Sequence, residues 1–281
     1  MININYLLNE GKKILSNSFV KTPKLDAEIL LSCVLKKNLK EIIIDNKIKL
    51  KKKEINTYKD LIRRRKFGEP VAYIIKKKEF WKHSFYVDQN VLIPRPDSEI
   101  IIEETLKLID KKNRGFILDI GTGSGCLIIS IAKERPNFFY SAIDISKKAL
   151  KVAKTNAKMH QLENRIKFYQ SSVDNFFKGK YDLIISNPPY INKLKLKYLE
   201  KDIYGFEPLI ALEGGLDGSS MLNKVIKKSS SLIKVGGKLI LEIGFDQKLK
   251  TIGLLKNEGF YVNKVIKDYG NNDRCIISTK I

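Results

Sequence analysis

The sequence predicts an α/β protein: a mostly parallel sheet with an antiparallel last strand, joined through a β-hairpin to a small N-terminal helical bundle. Three observations carry that expectation. Up to about residue 75 the apolar residues recur at helical spacing. From Glu79 to Ile93 they become aromatic and β-branched. Beyond Pro96 short apolar runs alternate with helical segments. The expected divisions are a helical domain at 1–75, a hairpin linker at 76–97 and an α/β domain at 98–281.

In the first segment, Tyr6, Leu7, Ile14 and Leu15 mark one helix, and Thr22 before Pro23 predicts an N-cap with proline at the first helical position. Leu25, Ile29, Leu30 and Val34 continue the helical pattern, and Ile55, Tyr58, Leu61 and Ile62 form another stripe. That stripe runs into Arg63, Arg64, Arg65 and Lys66 before Gly68, as the helix dipole and a C-terminal glycine favour. Phe80, Trp81, Phe85, Tyr86, Val87 and Val91 read as a hairpin turning at Asp88, Gln89 and Asn90. Pro94 and Pro96 stop it, and Asp97 or Ser98 is expected to cap a helix whose early turns carry Glu99, Glu103 and Glu104. Buried strands are expected at 116–120, 139–143, 166–170, 183–186 and 239–243, with helices between them, the pattern of a doubly wound sheet. Two final strands, 261–267 and 274–279, have a connection too short for a crossover helix, so they pair antiparallel.

The chain of 281 residues carries 53 Lys+Arg against 31 Asp+Glu, a formal charge of +22. Such an excess invites a nucleic-acid partner. Only eight of the basic residues are arginine, however, the residue suited to bidentate phosphate and guanine contacts. The lysine surplus travels with abundant isoleucine and asparagine and reads as compositional bias, so no specific nucleic-acid partner is expected. With 43% hydrophobic residues there is enough apolar material for ordinary cores. The longest apolar stretches fall far short of the roughly 20 residues a membrane span needs, and the start has no apolar core of signal-peptide length. A cytoplasmic monomer without a membrane partner is expected. Cys33, Cys126 and Cys275 are widely separated and lack metal-ligand spacing, so buried, reduced thiols and no metal site are expected.

The chemistry-bearing segments lie in the α/β part. The predicted strand at 116–120 contains Asp119 and runs into Gly121-Thr122-Gly123-Ser124-Gly125, followed by an apolar helix from Cys126. Glycines permit positive φ and close approach of a ligand, and a helix N-terminus offers free N–H groups. The dinucleotide pattern G-x-G-x-x-G is not met, because the third glycine comes one residue early, and no Gly-Lys-Ser/Thr of a P-loop follows. The D-x-G-x-G-x-G pattern resembles the S-adenosylmethionine loop of class I (Rossmann-like) methyltransferases; a plain glycine-rich turn is the alternative. Asp144, ending the next strand, stands where a carboxylate can accept both ribose hydroxyls, or where it can cap the helix beginning near Ser146.

Asn187-Pro188-Pro189-Tyr190 directly follows the strand at 183–186. Proline after Asn187 restricts that residue to extended conformations and so fixes its carboxamide. The prolines supply no N–H, leaving nearby carbonyls as uncontested acceptors. A planar NH2 group can then give one hydrogen to the Asn187 side-chain oxygen and one to the Pro188 carbonyl, with Tyr190 packing on its flat face. That arrangement presents a nitrogen lone pair to an electrophile.

Taken together, these segments resemble the release-factor glutamine methyltransferase family (PrmC/HemK) over nearly the whole chain. The resemblance includes Asp-Ala-Glu-Ile-Leu-Leu at 26–31, Gly-Glu-Pro-Val-Ala-Tyr at 68–73, Glu-Phe-Trp at 79–81 and Leu-Ile-Pro-Arg-Pro-Asp-Ser-Glu at 92–99. It continues with Phe-Glu-Pro at 206–208 and Asp-Tyr-Gly-Asn-Asn-Asp-Arg at 268–274. It implies a helical substrate-recognition domain and a class I methyltransferase domain that methylates the glutamine amide nitrogen in the Gly-Gly-Gln motif of peptide chain release factors. S-adenosyl-L-methionine would be held by Gly121, Thr122, Gly123, Ser124, Gly125, Asp144 and Asn187. The glutamine would be held by Asn187, Pro188, Pro189 and Tyr190, with Asn187, Pro188 and Tyr190 catalytic. Two positions depart from the family. Val173 stands where relatives often carry a tryptophan beside the adenine, and Tyr204 where an arginine is expected before Phe-Glu-Pro.

Direct in-line transfer needs no metal, and no residue stands out as general base: His83 and His160 read as hairpin and helix-surface positions. Two enzymatic alternatives stay open, an amino-group methyltransferase acting on a nucleic-acid base and one acting on a ribosomal-protein glutamine. A third is a basic binding protein with an inactive methyltransferase fold.

Overall fold

Period-two alternation explains how the sheet of this protein is covered on both faces. In the computed structural model, which describes residues 3–18, 20–44 and 50–281, the chain divides into two compact units, residues 1–77 with 199–206, and residues 78–198 with 207–281.

The first unit is helical. Helices α1 (Ile4–Ser16), α2 (Pro23–Leu35), α3 (Leu39–Ile44), α4 (Lys52–Lys66) and α5 (Val71–Ile75) close on a core that includes Leu7, Leu15, Leu30, Leu31, Tyr58 and Ile62. Asn3 caps α1 by accepting the Tyr6 N–H at 2.8 Å. The expected Thr22 cap differs in detail: its hydroxyl donates to Asp26 Oδ1 at 2.8 Å instead of accepting a backbone N–H. Gly68 follows α4 at φ +104°, a left-handed conformation that favours glycine. Of the basic run before it, Arg65 is buried, 2.7 Å from the Asp26 carboxylate and 3.6 Å from Asp202. Removing either member of the buried Arg65–Asp26 pair would strand a charge.

The second unit begins with the hairpin β1 (Lys78–Phe80) and β2 (His83–Phe85). Its turn is Trp81-Lys82, not the expected Asp88-Gln89-Asn90. A two-residue loop demands positive φ, and Trp81 adopts +54°. Its N–H is held by Glu99 Oε1 at 2.7 Å, and it packs against the sheet core, so tertiary contacts override residue preference. Asp88 instead builds a local turn, accepting from the Asn90 backbone and side chain at 2.9 Å each.

Next come α6 (Glu99–Leu108), β3 (Phe116–Ile120), α7 (Cys126–Glu134), β4 (Phe139–Asp144), α8 (Lys147–Met159), β5 (Ile166–Gln170) and β6 (Tyr181–Ser186). The short helix α9 (Lys201–Tyr204) belongs to the helical unit. After it follow α10 (Ser220–Leu232), β7 (Ile233–Glu242), α11 (Lys248–Asn257), β8 (Phe260–Lys267) and β9 (Asp273–Lys280). The seven strands lie in the order β5-β4-β3-β6-β7-β9-β8. Only β9 runs against its neighbours β7 and β8. Along β6, Leu183 and Ile185 join one core cluster with Ile128, Ile131 and Ile102 of α7 and α6, while Ile184 joins the other with Leu222, Val225 and Ile226 of α10. β7 starts six residues before its expected start. Gly236 and Gly237 sit inside the strand, where the pairing with β6 slips between Tyr181 and Leu183.

Cys275 is buried, Cys126 half-buried and Cys33 exposed, so Cys33 departs from the expected burial. His160 is no open helix-surface residue: it ends α8 with Nε2 2.9 Å from the Ser84 carbonyl and its ring against Phe85. Among the described residues no helix is long and apolar enough to cross a membrane.

Candidate active site

Strands β3 and β6 pair in register, Ile120 beside Ser186, so the glycine loop and the Asn187 segment leave the sheet side by side. Ser186 Oγ donates to the Ile120 carbonyl at 2.7 Å and locks the two strand ends. On the other side of β3 the Ile143 carbonyl of β4 accepts the Gly121 and Thr122 N–H groups at 2.9 and 3.0 Å. The strand order reverses here, the place where open parallel sheets bind ligands.

A cavity of about 230 Å³ opens at this point. Gly121, Thr122, Gly123 and Ser124 form one wall, Asp144 contributes from the end of β4 and Val173 from the segment after β5, and Asn187, Pro188 and Pro189 form another part of the lining. Gly121 and Gly123 have φ of +75° and +55°, and a Cβ on either would project into open space. That is the form of a cradle that leaves backbone open to a ligand. Gly125 and Tyr190 are not among the lining residues. A Cβ on Gly125 would meet Ile129 at 3.0 Å and Ala153 at 3.3 Å, so this glycine lets α7 pack closely.

Asp144 is anchored before any ligand arrives. Its Oδ2 accepts the Gly123 N–H at 2.9 Å and its Oδ1 the Ser146 N–H at 2.8 Å, while Ser146 Oγ caps α8. Burial raises its pKa above the ordinary range, against the pull of those backbone donors. Beneath the loop, Asp119 is buried and accepts from Thr122 Oγ1 at 2.7 Å. Burial pushes its carboxyl up to about 7, with the Asp144 charge adding to the effect and Thr122 opposing it. A raised acid contributes stability that is fully present below its unfolded value and lost as pH rises through the folded one. Asp119→Asn, which keeps an acceptor for Thr122, should therefore raise the Tm at pH 8 more than at pH 5. Equal Tm changes at the two pH values would contradict an ionisable, buried Asp119.

Sequence reasoning missed the groups that hold Asn187. Its Nδ2 donates to Ser98 Oγ at 3.0 Å; Ser98 Oγ donates to Glu242 Oε2 at 2.6 Å; and Tyr190 Oη donates to Glu242 Oε1 at 3.1 Å. Ser98 precedes α6 but makes no cap bond, because its hydroxyl is committed to Glu242. Tyr190 is kept protonated chiefly by burial, with Glu242 adding to the upward shift. Nearby, the Arg95 guanidinium pairs with the buried Glu207 carboxylate, whose other oxygen accepts the Ile93 N–H at 3.2 Å. This pair joins the Pro-Arg-Pro segment to Phe-Glu-Pro, and Pro94, Arg95, Ser98 and Pro208 all line the cavity. The available signal was an acid, Glu242, at the end of the apolar run 239–241. A charge there is buried, and buried charges need partners.

Comparison with known proteins places this chain in a family. Residues 6–75 match the PrmC N-terminal domain and residues 99–202 the Methyltransferase small domain. The chain is 41% identical over 269 residues to the release factor glutamine methyltransferase of Buchnera aphidicola subsp. Acyrthosiphon pisum, covering 96% of each chain. It belongs to the release factor glutamine methyltransferase family. A relative of the same name from Coxiella burnetii is 40% identical, with 92% of this chain and 93% of that one covered. Among solved structures, a ribosomal protein L11 methylase from Lactobacillus delbrueckii superposes with a TM-score of 0.52 at 18% identity, covering 69% of this chain and 83% of that one. A methyltransferase from Pyrococcus furiosus gives 0.52 at 21% identity, covering 70% and 88%. At those identities the likeness concerns the family's fold alone, a class I methyltransferase sheet.

Proposed function

We infer that this protein methylates the side-chain amide nitrogen of a glutamine in peptide chain release factors, using S-adenosyl-L-methionine. The observation that carries the reading is that a glycine cradle and an Asn-Pro-Pro wall line one cavity at the reversal of strand order. Family membership supports the release factor as substrate, and the Gly-Gly-Gln glutamine is the proposed target.

The residues divide by chemistry. Gly121 to Ser124 take the cofactor against open backbone, Asp144 accepts its ribose hydroxyls, and Val173 packs on the adenine with aliphatic surface in place of a ring. S-adenosylmethionine supplies a methyl group on a positively charged sulfonium. The Asn187 side-chain oxygen and the Pro188 carbonyl accept the two hydrogens of the glutamine NH2, which points its lone pair toward that methyl. Holding the reactants in line can supply on the order of 7–11 kcal/mol of the barrier reduction. The same two acceptors stabilise the positive charge that develops on nitrogen. Its proton then leaves to solvent. His83 and His160 are outside the cavity lining, and neither is assigned a part.

A tritiated-methyl transfer assay offering a release factor, a ribosomal protein and DNA side by side tests the reading. Label should enter the release factor and disappear when its Gly-Gly-Gln glutamine is replaced. Label in DNA or in the ribosomal protein instead would reject it.

A further inference from the structure

Glu242 ends β7 one position beyond Leu241, the register partner of Ser186, and so stands at the level of Asn187 on the neighbouring strand. It is only 2% exposed, and its two oxygens are engaged by different donors, Ser98 Oγ and Tyr190 Oη. Arg274 of β9 backs this arrangement. Its Nη1 donates to Tyr190 Oη at 3.3 Å and to the Ile243 carbonyl at 3.1 Å, while its Nη2 meets Asp268 Oδ2 at 3.0 Å.

The direction of each bond matters more than its length. Ser98 Oγ donates to Glu242 Oε2, and when that carboxylate is ionised it has no hydrogen to return, so the single Ser98 proton is committed to it. Ser98 Oγ is left as an acceptor, and what it accepts is the Asn187 NH2. The carboxamide therefore turns its nitrogen toward Ser98 and leaves its oxygen as the end available to a ligand in the cavity. With the amide reversed, an NH2 would face the NH2 of the incoming glutamine, donor against donor.

We propose that Glu242 is a positioning residue, acting through Ser98 to set which end of the Asn187 amide meets the substrate. The proposal rests on the amide-methylation reading above. It distinguishes Glu242 from a carboxylate that merely fills the core, because a neutral group of the same shape should fail. A protonated Glu242, or a glutamine in its place, can donate to Ser98 and free the Ser98 proton for the Asn187 oxygen. Burial raises the Glu242 pKa, while Ser98, Arg274 and Tyr190 favour the ionised form and Asp97 opposes it. Cys126 of α7 and Cys275 of β9 also feel its charge.

The test is steady-state kinetics on the full chain with saturating S-adenosylmethionine and a release factor as acceptor. Glu242→Gln should lower kcat about tenfold, the scale of misaligning one partner of the transition state. KM for the release factor and calorimetric cofactor affinity should stay within about twofold, the signature of an interaction made only in the transition state. The acid-side fall in kcat of the wild-type enzyme, as Glu242 protonates, should be absent from the variant. Ser98→Ala should show the same drop, and Ser98→Thr, which keeps the hydroxyl, should recover most of it; this pair serves even if Glu242→Gln fails to fold. Wild-type kcat in Ser98→Ala, no recovery in Ser98→Thr, or an unchanged acid limb in Glu242→Gln overturns the proposal. A wild-type enzyme that does not label the release factor rejects the amide reading instead.

Discussion

Asn187→Ala is expected to reduce turnover about a hundredfold, the lower end of the cost of deleting one preorganised partner of a transition state. Cofactor affinity should change by no more than a few fold, because the glycine wall and Asp144 are untouched. The variant removes the oxygen that orients the substrate NH2 and leaves Ser98 Oγ without its donor. Asn187→Asp is expected to be no better, although it keeps an oxygen at the same place. Its carboxylate would confront the lone pairs of Ser98, whose proton already belongs to Glu242. Turnover within threefold of wild type in Asn187→Ala, measured with saturating cofactor, would remove Asn187 from the proposed machinery.

Asp144→Ala should act on affinity. A bond from a neutral donor to a charged acceptor contributes about 1.5–3 kcal/mol, so losing both ribose contacts should weaken cofactor binding by at least about a hundredfold. Turnover at saturating cofactor should fall far less. The carboxylate already accepts from Gly123 and Ser146, and each of its oxygens has a second lone pair to offer a ribose hydroxyl. Helix capping is the competing explanation, and Ser146→Ala separates the two. That variant deletes the side chain bonded to the Ala149 N–H at 3.1 Å, at a cost of about 1 kcal/mol in stability. It should leave calorimetric affinity near wild type. An equal loss of affinity in both variants would make Asp144 a cap and nothing more. Because burial raises the Asp144 pKa, cofactor affinity should also decline on acidification before an ordinary aspartate would protonate.

The sheet and the cavity wall were legible in the sequence because their signals are local. Alternation of short apolar runs with helices gives β3 to β6 nearly residue by residue, and Gly121 to Ser124, Asp144 and Asn187 to Pro189 stand at or beyond strand ends and line one cavity. The failures share a physical cause. Trp81 turns a hairpin at positive φ because Glu99 and the core hold it there, and neither is visible from residues 80–90. Ser98 reads as a helix cap until Glu242, 144 residues away in the chain, claims its proton. The sequence places Tyr190 beside the substrate but does not show that its hydroxyl is held by the same buried acid. Local patterns report backbone and burial; the direction of a hydrogen bond depends on partners brought together only by the fold.

The return of residues 199–206 to the helical unit has a consequence for how the protein can be divided. The chain crosses between units three times, at 77–78, 198–199 and 206–207. A fragment ending at residue 77 would keep Asp26 for Arg65 but lose Asp202, together with Phe206, whose ring stands 3.4 Å from the point where a Cβ on Gly68 would lie. The complementary fragment would carry α9 as a loose strap between Tyr198 and Glu207. Helical and catalytic units are thus not separable modules. A single cut cannot release either one intact, and a graft onto another methyltransferase would have to transplant the strap as well.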